Sequence, residues 1–447
     1  MKIIIAGAYA IGTHLARLLS RSKEDITLID DSEERLASIG SDYDLLTMLG
    51  QPTSLKILQN ADIQDADLFI AVTPLESKNI TSCILAKKLG AKRTVAKVDN
   101  PEYMDQQAQD FFRELGIDKL IYPEMLAAVD INNGLKMSWV RQRWDVHDGA
   151  LIMLGIKLRE TCEILNKPLK DISGPNDPYH VVAIKRGSET IIPGGYDELK
   201  LYDLAYFMTT RNYIPYIRKI VGKEHYVDVK NVMVMGGGRT AVRAVKKMPE
   251  YMECKIIEKD ENRCEYLNDI LDDNHILIIH GDGRDIPLLT EEGIRSTQAF
   301  VALTGNAETN ILACLTAKRM GVRKTVAAVE NVDYVSMAES LDIGTIINKK
   351  MIAASYIYQM MLDADVMNVR FLMSANADVA EFIAKEGSKV TQKPVKELGM
   401  PIGVTIGGLV RKGEGMLVSG HTQIEPGDSV MVFCHNINMK KIEKYFI

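Results

Sequence analysis

The sequence predicts an α/β protein with two Rossmann-like parallel-sheet domains, each followed by a small α+β domain. Three observations lead to this fold class. The chain repeats itself, short apolar runs alternate with helical patterns, and a glycine-rich turn stands near the start of each repeat. Alternating strands and helices favour a parallel sheet that is covered by helices on both faces.

The internal repeat appears when the second half of the chain is aligned with the first. Thr94–Asn100 (TVAKVDN) reappears as Thr325–Asn331 (TVAAVEN), and Lys167–Asp171 (KPLKD) reappears as Lys393–Glu397 (KPVKE). A chain of 447 residues is also too long for a single hydrophobic core. We therefore predict four domains, with boundaries at 1–140, 141–225, 226–362 and 363–447.

The strands of the first large domain are short and almost continuously apolar, as expected for strands buried on both faces. They are predicted at Lys2–Ala6, Ile26–Asp30, Leu45–Met48, Leu68–Thr73, Thr94–Val98 and Leu120–Tyr122. Helical spacing between them puts Ile80, Cys83 and Ile84 on one face. Cys83 and its counterpart Cys314 are therefore expected to be small core residues, with a reactive thiol as the weaker alternative.

The small domains are predicted from strand-like stretches beside turn residues. Val181–Lys185 precedes Gly187, and Gly408–Arg411 precedes Gly413. In the second copy a Pro-Gly-Asp turn stands before a further strand, Ser429–Phe433. These stretches indicate small α+β domains.

The first glycine-rich turn, Gly7-Ala8-Tyr9-Ala10-Ile11-Gly12, follows a strand and opens a helix. In a dinucleotide-binding fingerprint the first glycine permits a tight turn and the third permits close packing of helix on strand. The second glycine lets the backbone approach a pyrophosphate. In this copy Tyr9 occupies that second position. The first turn therefore departs from the fingerprint.

The second turn, Gly236-Gly237-Gly238-Arg239-Thr240-Ala241, carries the intact pattern, because alanine is accepted at the third position. The N-terminus of the helix that follows is expected to offer N–H groups and a positive dipole to an anion.

An acidic residue closes the second strand of each copy, Asp30 in the first and Glu258 in the second. The spacing from the glycine turn is close to that of the carboxylate that binds ribose hydroxyls in Rossmann domains. For Asp30 the alternative is a helix cap, since Asp31 and Ser32 follow it.

Three further positions fall at strand ends that face the crevice of an open parallel sheet. Thr73 and Thr304 end the fourth strands, and Lys97 lies near the end of the fifth strand of the first copy. Lys97 has a solvated lysine as its alternative, because the second copy has alanine there. Asn79 and Asn310 are equally well interpreted as helix caps or as site residues.

Composition excludes several classes of function. The net charge is −6 and the basic residues are interleaved with acidic ones, which argues against a nucleic-acid-binding face. The six cysteines are scattered and show no zinc spacing, as in a reduced cytosolic protein. We expect no signal peptide and no membrane span, since no window approaches ~20 apolar residues. The sequence places no acidic or nucleophilic residue at a catalytic spacing from His14 or His180, so surface or core histidines are expected.

One helix has more apolar surface than a single buried face needs. Met351–Met361 reads MIAASYIYQMM. An oligomer interface is the expected use of the excess. Burial inside the same chain is the alternative.

Taken together, these residues make the chain similar to the TrkA-type peripheral subunits of bacterial Trk potassium uptake systems, with RCK (KTN) and RCK-C domains each present twice. The resemblance covers the whole chain. Its most specific marks are the turn Gly236–Arg239, the His280-Gly281-Asp282 sequence, and Ala302-Leu303-Thr304 followed by Glu308 and Asn310.

The resemblance implies nucleotide binding, of NAD(H) or ATP/ADP, in these crevices. For the second copy it implies phosphates on Gly236, Gly238 and Arg239, ribose on Glu258, and adenosine beside Asp282 and Thr304. For the first copy it implies Gly7, Gly12, Asp30, Thr73 and Lys97, whereas Tyr9 departs from the pattern and Gln51 replaces Asp282.

It also implies a homo-oligomer, a dimer or a tetramer, that stays in the cytoplasm, binds no nucleic acid and reaches the inner face of the membrane through a potassium-translocating partner. The expected role is regulation of that partner and not catalysis. The competing interpretations are an NAD-dependent oxidoreductase, which needs a proton donor beside the nicotinamide, and a scaffold whose Rossmann units bind nothing.

Overall fold

A computed structural model describes residues 1–20, 24–40, 43–172, 178–187, 189–362, 366–372, 377–435 and 439–447. Within them the chain forms two six-stranded parallel sheets, and each is followed by a five-stranded antiparallel sheet. The predicted fold class is confirmed.

The first parallel sheet has the strand order β3-β2-β1-β4-β5-β6. Its strands are β1 (Lys2–Ala6), β2 (Asp25–Asp30), β3 (Leu46–Leu49), β4 (Leu68–Ala71), β5 (Thr94–Lys97) and β6 (Lys119–Ile121). The helices are α1 (Ala10–Leu19), α2 (Glu33–Gly40), α3 (Leu55–Asn60), α4 (Glu76–Lys88), α5 (Gln106–Glu114) and α6 (Pro123–Leu135). The central strands are buried on both faces, which explains their nearly continuous apolar sequence.

The first antiparallel sheet has the order β10-β9-β11-β8-β7. It consists of β7 (Gln142–Val146), β8 (Leu151–Lys157), β9 (Tyr179–Arg186), β10 (Glu189–Ile191) and β11 (Leu204–Thr209), with the short helices α7 (Leu169–Ile172) and α8 (Ile214–Ile220).

The second parallel sheet repeats the first, with the order β14-β13-β12-β15-β16-β17. Its strands are β12 (Asn231–Met235), β13 (Glu253–Glu258), β14 (Ile276–His280), β15 (Ala299–Ala302), β16 (Lys324–Ala328) and β17 (Thr345–Ile347). The helices are α9 (Arg239–Val245), α10 (Glu261–Ile270), α11 (Ile286–Glu291), α12 (Ala307–Arg319), α13 (Val332–Ser340) and α14 (Lys349–Gln359).

The second antiparallel sheet has the order β18-β19-β22-β20-β21, which is the topology of the first read in the opposite direction. It consists of β18 (Val366–Leu372), β19 (Ala377–Ile383), β20 (Val404–Arg411), β21 (Glu414–Leu417) and β22 (Ser429–His435), followed by α15 (Met439–Glu443). The duplication therefore extends to the small domains.

The last helix of each parallel sheet packs against the first helix of the other copy. The chain divides into two compact units, and Lys349–Met361 belongs to the same unit as Met1–Leu126. There α14 packs against α1 and buries Ala353, Ala354 and Ile357. The apolar side chains of this segment are thus covered within the chain. This finding supports burial inside the chain, the alternative interpretation, and not the expected oligomer interface.

The other compact unit holds Ala127–Asn348 and Leu362–Ile447. In it the side-chain amide of Asn132, on α6, donates to the carbonyl oxygen of Ala244, on α9, at 3.0 Å. Each glycine turn is therefore followed by a helix that contacts the final helix of the other copy.

All six cysteines are buried and none is in a disulfide. Cys83 and Cys314 are fully buried in the cores of the two parallel sheets. Burial raises the pKa of both thiols, that of Cys314 to about 12. Both are therefore core residues and not nucleophiles. Among the described residues, no helix has the length and apolar composition needed to cross a bilayer.

Candidate functional site

The glycine turns lie at the carboxyl ends of β1 and β12. Gly7 has φ +110° and Gly236 has φ +98°, a conformation that favours glycine. A Cβ atom at Gly12 would lie 1.8 Å from the carbonyl oxygen of Gly7. Gly12 therefore lets α1 pack closely on the strand, as the fingerprint requires.

Tyr9 and Gly238 occupy the same position in their turns and have similar backbones. Both are extended, with φ −87° at Tyr9 and φ −68° at Gly238. A Cβ at Gly238 would meet no atom within 4 Å. The backbone thus tolerates a side chain here, and the difference between the copies is the space that the side chain fills.

The two acids bind the glycine turns through backbone amides. Asp30, which is 2% exposed, accepts from the amide of Ala8 at 2.6 Å. Glu258 accepts from the amide of Gly237 at 2.7 Å. Since each carboxylate oxygen accepts more than one hydrogen bond, this contact is compatible with a ribose hydroxyl as a further donor.

Asp30 is not the cap of α2. It accepts from the amide of Ser32 at 2.9 Å, but the residue directly before the helix is Ser32 itself, whose hydroxyl accepts from the amide of Arg35 at 3.3 Å. The cap interpretation of Asp30 is wrong, because the helix begins at Glu33 and not directly after Asp30.

In the first copy, side chains bridge the crevice. Arg35 binds Asp30 at 2.6 Å and Asp31 at 2.7 Å, and its guanidinium lies 4.2 Å from the centre of the Tyr9 ring. Asp31 in turn binds Lys78, on α4, at 2.8 Å. The hydrogen bond from Lys78 lowers the pKa of the Asp31 carboxyl. These pairs connect the end of β2 with α4.

Gln51 belongs to the same network, since its side-chain amide donates to Asp31 at 3.0 Å. The Gln51 side chain is thus engaged in a hydrogen bond inside the crevice. Lys97, also predicted for this copy, binds Asp99 at 2.7 Å and is 12% exposed. It is paired within the chain, so the solvated alternative is wrong.

In the second copy the crevice is an open cleft of about 440 Å³. The positions equivalent to Asp31 and Lys78 are Lys259 and Thr309, which cannot form an ion pair, and both line the cleft. Of the predicted residues, the cleft is lined by Gly236, Gly238, Glu258, Asp282 and Thr304. Arg239 begins α9, is exposed and is not among the lining residues.

Asp282 lies at the rim of this cleft beside Arg284. The Arg284 guanidinium binds the Asp282 carboxylate at 2.6 Å. This hydrogen bond, helped by the backbone amide of Arg284, lowers the pKa of Asp282 to about 2. The pair therefore stays ionised at neutral pH and places one cation and one anion at the cleft rim.

A buried asparagine connects two strand ends in each copy. Asn310 accepts from the amide and the hydroxyl of Thr304, at 3.0 and 2.7 Å, and donates to the carbonyl oxygens of Thr304 and Ala328, at 3.0 and 2.8 Å. Asn79 binds Thr73 in the same way. These contacts fix the strand ends that border each crevice.

Asn79 and Asn310 are therefore not helix caps. In α12 the cap is Asn306, whose side chain accepts from the amide of Thr309 at 2.6 Å. The hydrogen bonds of Asn79 also explain why β4 ends at Ala71 and not at the predicted Thr73. The Thr73 amide donates to the Asn79 side chain and not to a neighbouring strand.

Sequence reasoning missed the bridge between Arg35, Asp31 and Lys78. An acid and a base four residues apart, as in Asp31 and Arg35, are a recognisable signal for a pair on one helix face. The contact with Lys78 spans a long stretch of sequence, and only the fold brings these residues together.

The site and the fold define a class. Two parallel sheets with the order 3-2-1-4-5-6, each with a glycine turn at its switch point, are characteristic of a tandem Rossmann-type protein. The TrkA-N domain model matches residues 3–123 and 232–349, which together are more than half of the chain, and the TrkA-C domain model matches 379–447. The chain belongs to the TrkA family.

Relatives match over the full length. The Trk system potassium uptake protein TrkA of Haemophilus influenzae is 29% identical, over 100% of this chain and 98% of the relative. TrkA homolog 1 of Methanosarcina mazei is 28% identical over 100% of both.

Solved structures share the fold. The GsuK RCK domain superposes with a TM-score of 0.62 at 14% identity, over 100% of this chain and 94% of the other. The GsuK channel bound to NAD gives 0.61 at 14% identity, over 100% of this chain and 78% of the other. At this identity the likeness concerns the fold.

Proposed function

We propose that this chain is a cytoplasmic regulatory subunit that binds NAD(H) or ATP/ADP and thereby controls a membrane potassium-translocating partner of the Trk type. The observation that carries this proposal is the open cleft of the second copy, with its glycine turn and its acid at the end of β13. Full-length relatives named as potassium uptake proteins and a fold neighbour with bound NAD support it.

The cleft residues fit a nucleotide. Gly236 and Gly238 both line the cleft, and the position beside Gly238 is open enough for a phosphate. Glu258 has acceptor capacity for a ribose hydroxyl. Asp282 and Thr304 also line the cleft, and we propose that the adenosine lies beside them. Because α9 has only seven residues, its dipole contributes less than the N–H groups of the turn themselves.

A bound nucleotide changes the partner only through its differential affinity for two arrangements of the subunit, typically 1–3 kcal/mol. We propose that the helices that follow the glycine turns connect the nucleotide sites with the rest of the subunit. The turn at Gly236–Gly238 opens α9, which Asn132 of α6 contacts, and the turn at Gly7 opens α1, which α14 contacts. Movement of a glycine turn is thus passed to the last helix of the other copy.

The test combines binding with transport. We expect ATP, ADP, NAD or NADH to raise the melting temperature of the purified chain, and one of them to change potassium flux when the chain is added to liposomes that hold its membrane partner. Steady oxidation of NADH with a panel of carbonyl substrates supports the oxidoreductase instead. The scaffold interpretation gains if none of the four nucleotides shifts the melting temperature.

The first copy yields a separate prediction. Tyr9→Gly removes the ring beneath Arg35 and clears the position that Gly238 leaves open in the second copy. We expect nucleotide binding at the first crevice to strengthen about tenfold, or ~1.4 kcal/mol, seen in calorimetry as a rise in the number of nucleotides bound per chain. Tyr9→Phe keeps the ring and serves as the control. An unchanged stoichiometry in Tyr9→Gly means that the Arg35 and Lys78 pairs, and not Tyr9, close the crevice.

A further inference from the structure

A second cleft, of about 580 Å³, shares no lining residue with the cleft beside Gly236. It lies between the first antiparallel sheet and the second parallel sheet. The chain after α6, the end of β8 and the chain after α8 form one side, and the segment between α12 and β16 forms the other.

The lining is strongly basic. It includes Arg141, Lys157, Arg159, Lys223, Lys318 and Lys324, and none of its described residues is Asp or Glu. Asp342, which is not among the lining residues, binds Arg141 and Arg159 at 2.5 Å each and Lys318 at 3.2 Å. One carboxylate thus serves three cations and leaves an excess of positive charge.

The remaining three lysines form no ion pair with a carboxylate in the part of the chain that the structure describes. Lys157 is half-buried, and its ammonium group makes no hydrogen bond or ion pair with any described residue. Lys324 is 3% exposed and donates only to neutral oxygens, of Val140 at 2.6 Å and Thr345 at 3.0 Å. Lys223 is 4% exposed and lies 3.3 Å from the Tyr226 hydroxyl.

Such an arrangement costs free energy in the empty protein, because like charges repel more strongly where water is scarce. Burial lowers the pKa of the Lys157 ammonium; the Asp342 carboxylate opposes this shift, and Arg141 and Arg159 add to it. Burial and Arg141 lower the pKa of Lys324 to about 7. A structural role explains Lys324, which bridges two segments, but it does not explain Lys157.

We propose that this basic cleft binds a small soluble anion that carries several phosphate groups, independently of the nucleotide crevices. Guanidinium groups match phosphate oxygens in paired hydrogen bonds, and ammonium groups add point charges. The cleft volume admits two or three linked phosphates. Lys157 contributes the donor that the folded chain leaves unused.

The test uses inorganic tripolyphosphate and the full chain. We expect calorimetry to show one binding event per chain that weakens about tenfold in Lys157→Gln and weakens further as salt is raised. Lys88→Gln is the matched control, since Lys88 is exposed at the end of α4, and we expect its affinity to equal that of the wild type.

Thermal unfolding separates a binding role from a structural one. If Lys157 only repels its neighbours until an anion arrives, Lys157→Gln melts at a higher temperature than the wild type without tripolyphosphate, and gains less from its addition. Equal affinity in Lys157→Gln and wild type overturns the proposal. The proposal is also overturned if the chain binds vesicles of phosphatidylserine but not tripolyphosphate. That result would mean that the basic residues of the cleft bind a lipid surface.

Discussion

Gly238→Asp is expected to weaken nucleotide binding by the second copy at least a hundredfold. The new carboxylate would stand where the proposed site holds phosphates, and two like charges about 4 Å apart repel by ~4 kcal/mol at an effective dielectric constant of about 20. The substitution spares the fold, because a Cβ at Gly238 meets no atom within 4 Å and the backbone there is already extended. Calorimetry with each nucleotide measures the loss.

Gly238→Asn is the matched control, since it has the same shape without the charge. We expect it to weaken binding much less than Gly238→Asp. Equal losses in the two variants would show that space and not charge is decisive at this turn. Retained affinity in Gly238→Asp would place the phosphates elsewhere in the cleft.

Asn310→Ala is expected to destabilise the second parallel sheet by about 3 kcal/mol, because it removes four hydrogen bonds of a buried side chain and leaves partly buried groups of Thr304 and Ala328 without these partners. Hydrogen exchange measures this locally, which matters in a chain of several domains where a single unfolding free energy is not defined. The amides of β15 and β16 should exchange about a hundredfold faster.

Asn306→Ala provides the comparison within the same helix. It removes an exposed cap of α12 and should cost only ~1 kcal/mol. If Asn306→Ala and Asn310→Ala accelerate exchange equally, the hydrogen bonds of Asn310 to the two strand ends contribute no more to the stability of the sheet than a helix cap does.

The course of the chain could largely be read from its sequence. Strands predicted at Ile26–Asp30 and Thr94–Val98 are found at Asp25–Asp30 and Thr94–Lys97, because strands buried on both faces leave uninterrupted apolar runs. The duplication added a second, independent reading of each element. The exact strand ends could not be predicted as well, because they depend on side chains such as Asn79, which lies outside β4 but binds the backbone just after it.

The candidate site was predicted less evenly. The glycine turns and the acids Asp30 and Glu258 follow from spacing alone, because they lie on consecutive elements of a known pattern. Arg239 was assigned to phosphates by resemblance, but it lies outside the lining of the cleft. The placement of nucleotides on these residues stays a prediction.

The sequence by itself determined the fold class, the duplication and the departure at Tyr9, since each depends on local pattern and on repetition. Only the tertiary structure decided what that departure means. Tyr9, Arg35 and the Asp31–Lys78 pair bridge one crevice, while Lys259 and Thr309 leave the other open. It also decided that α14 packs on α1 and that basic side chains from distant segments share one cleft. The physical reason is the same in each case: charge pairing and burial depend on distances in space, which spacing along the chain does not specify.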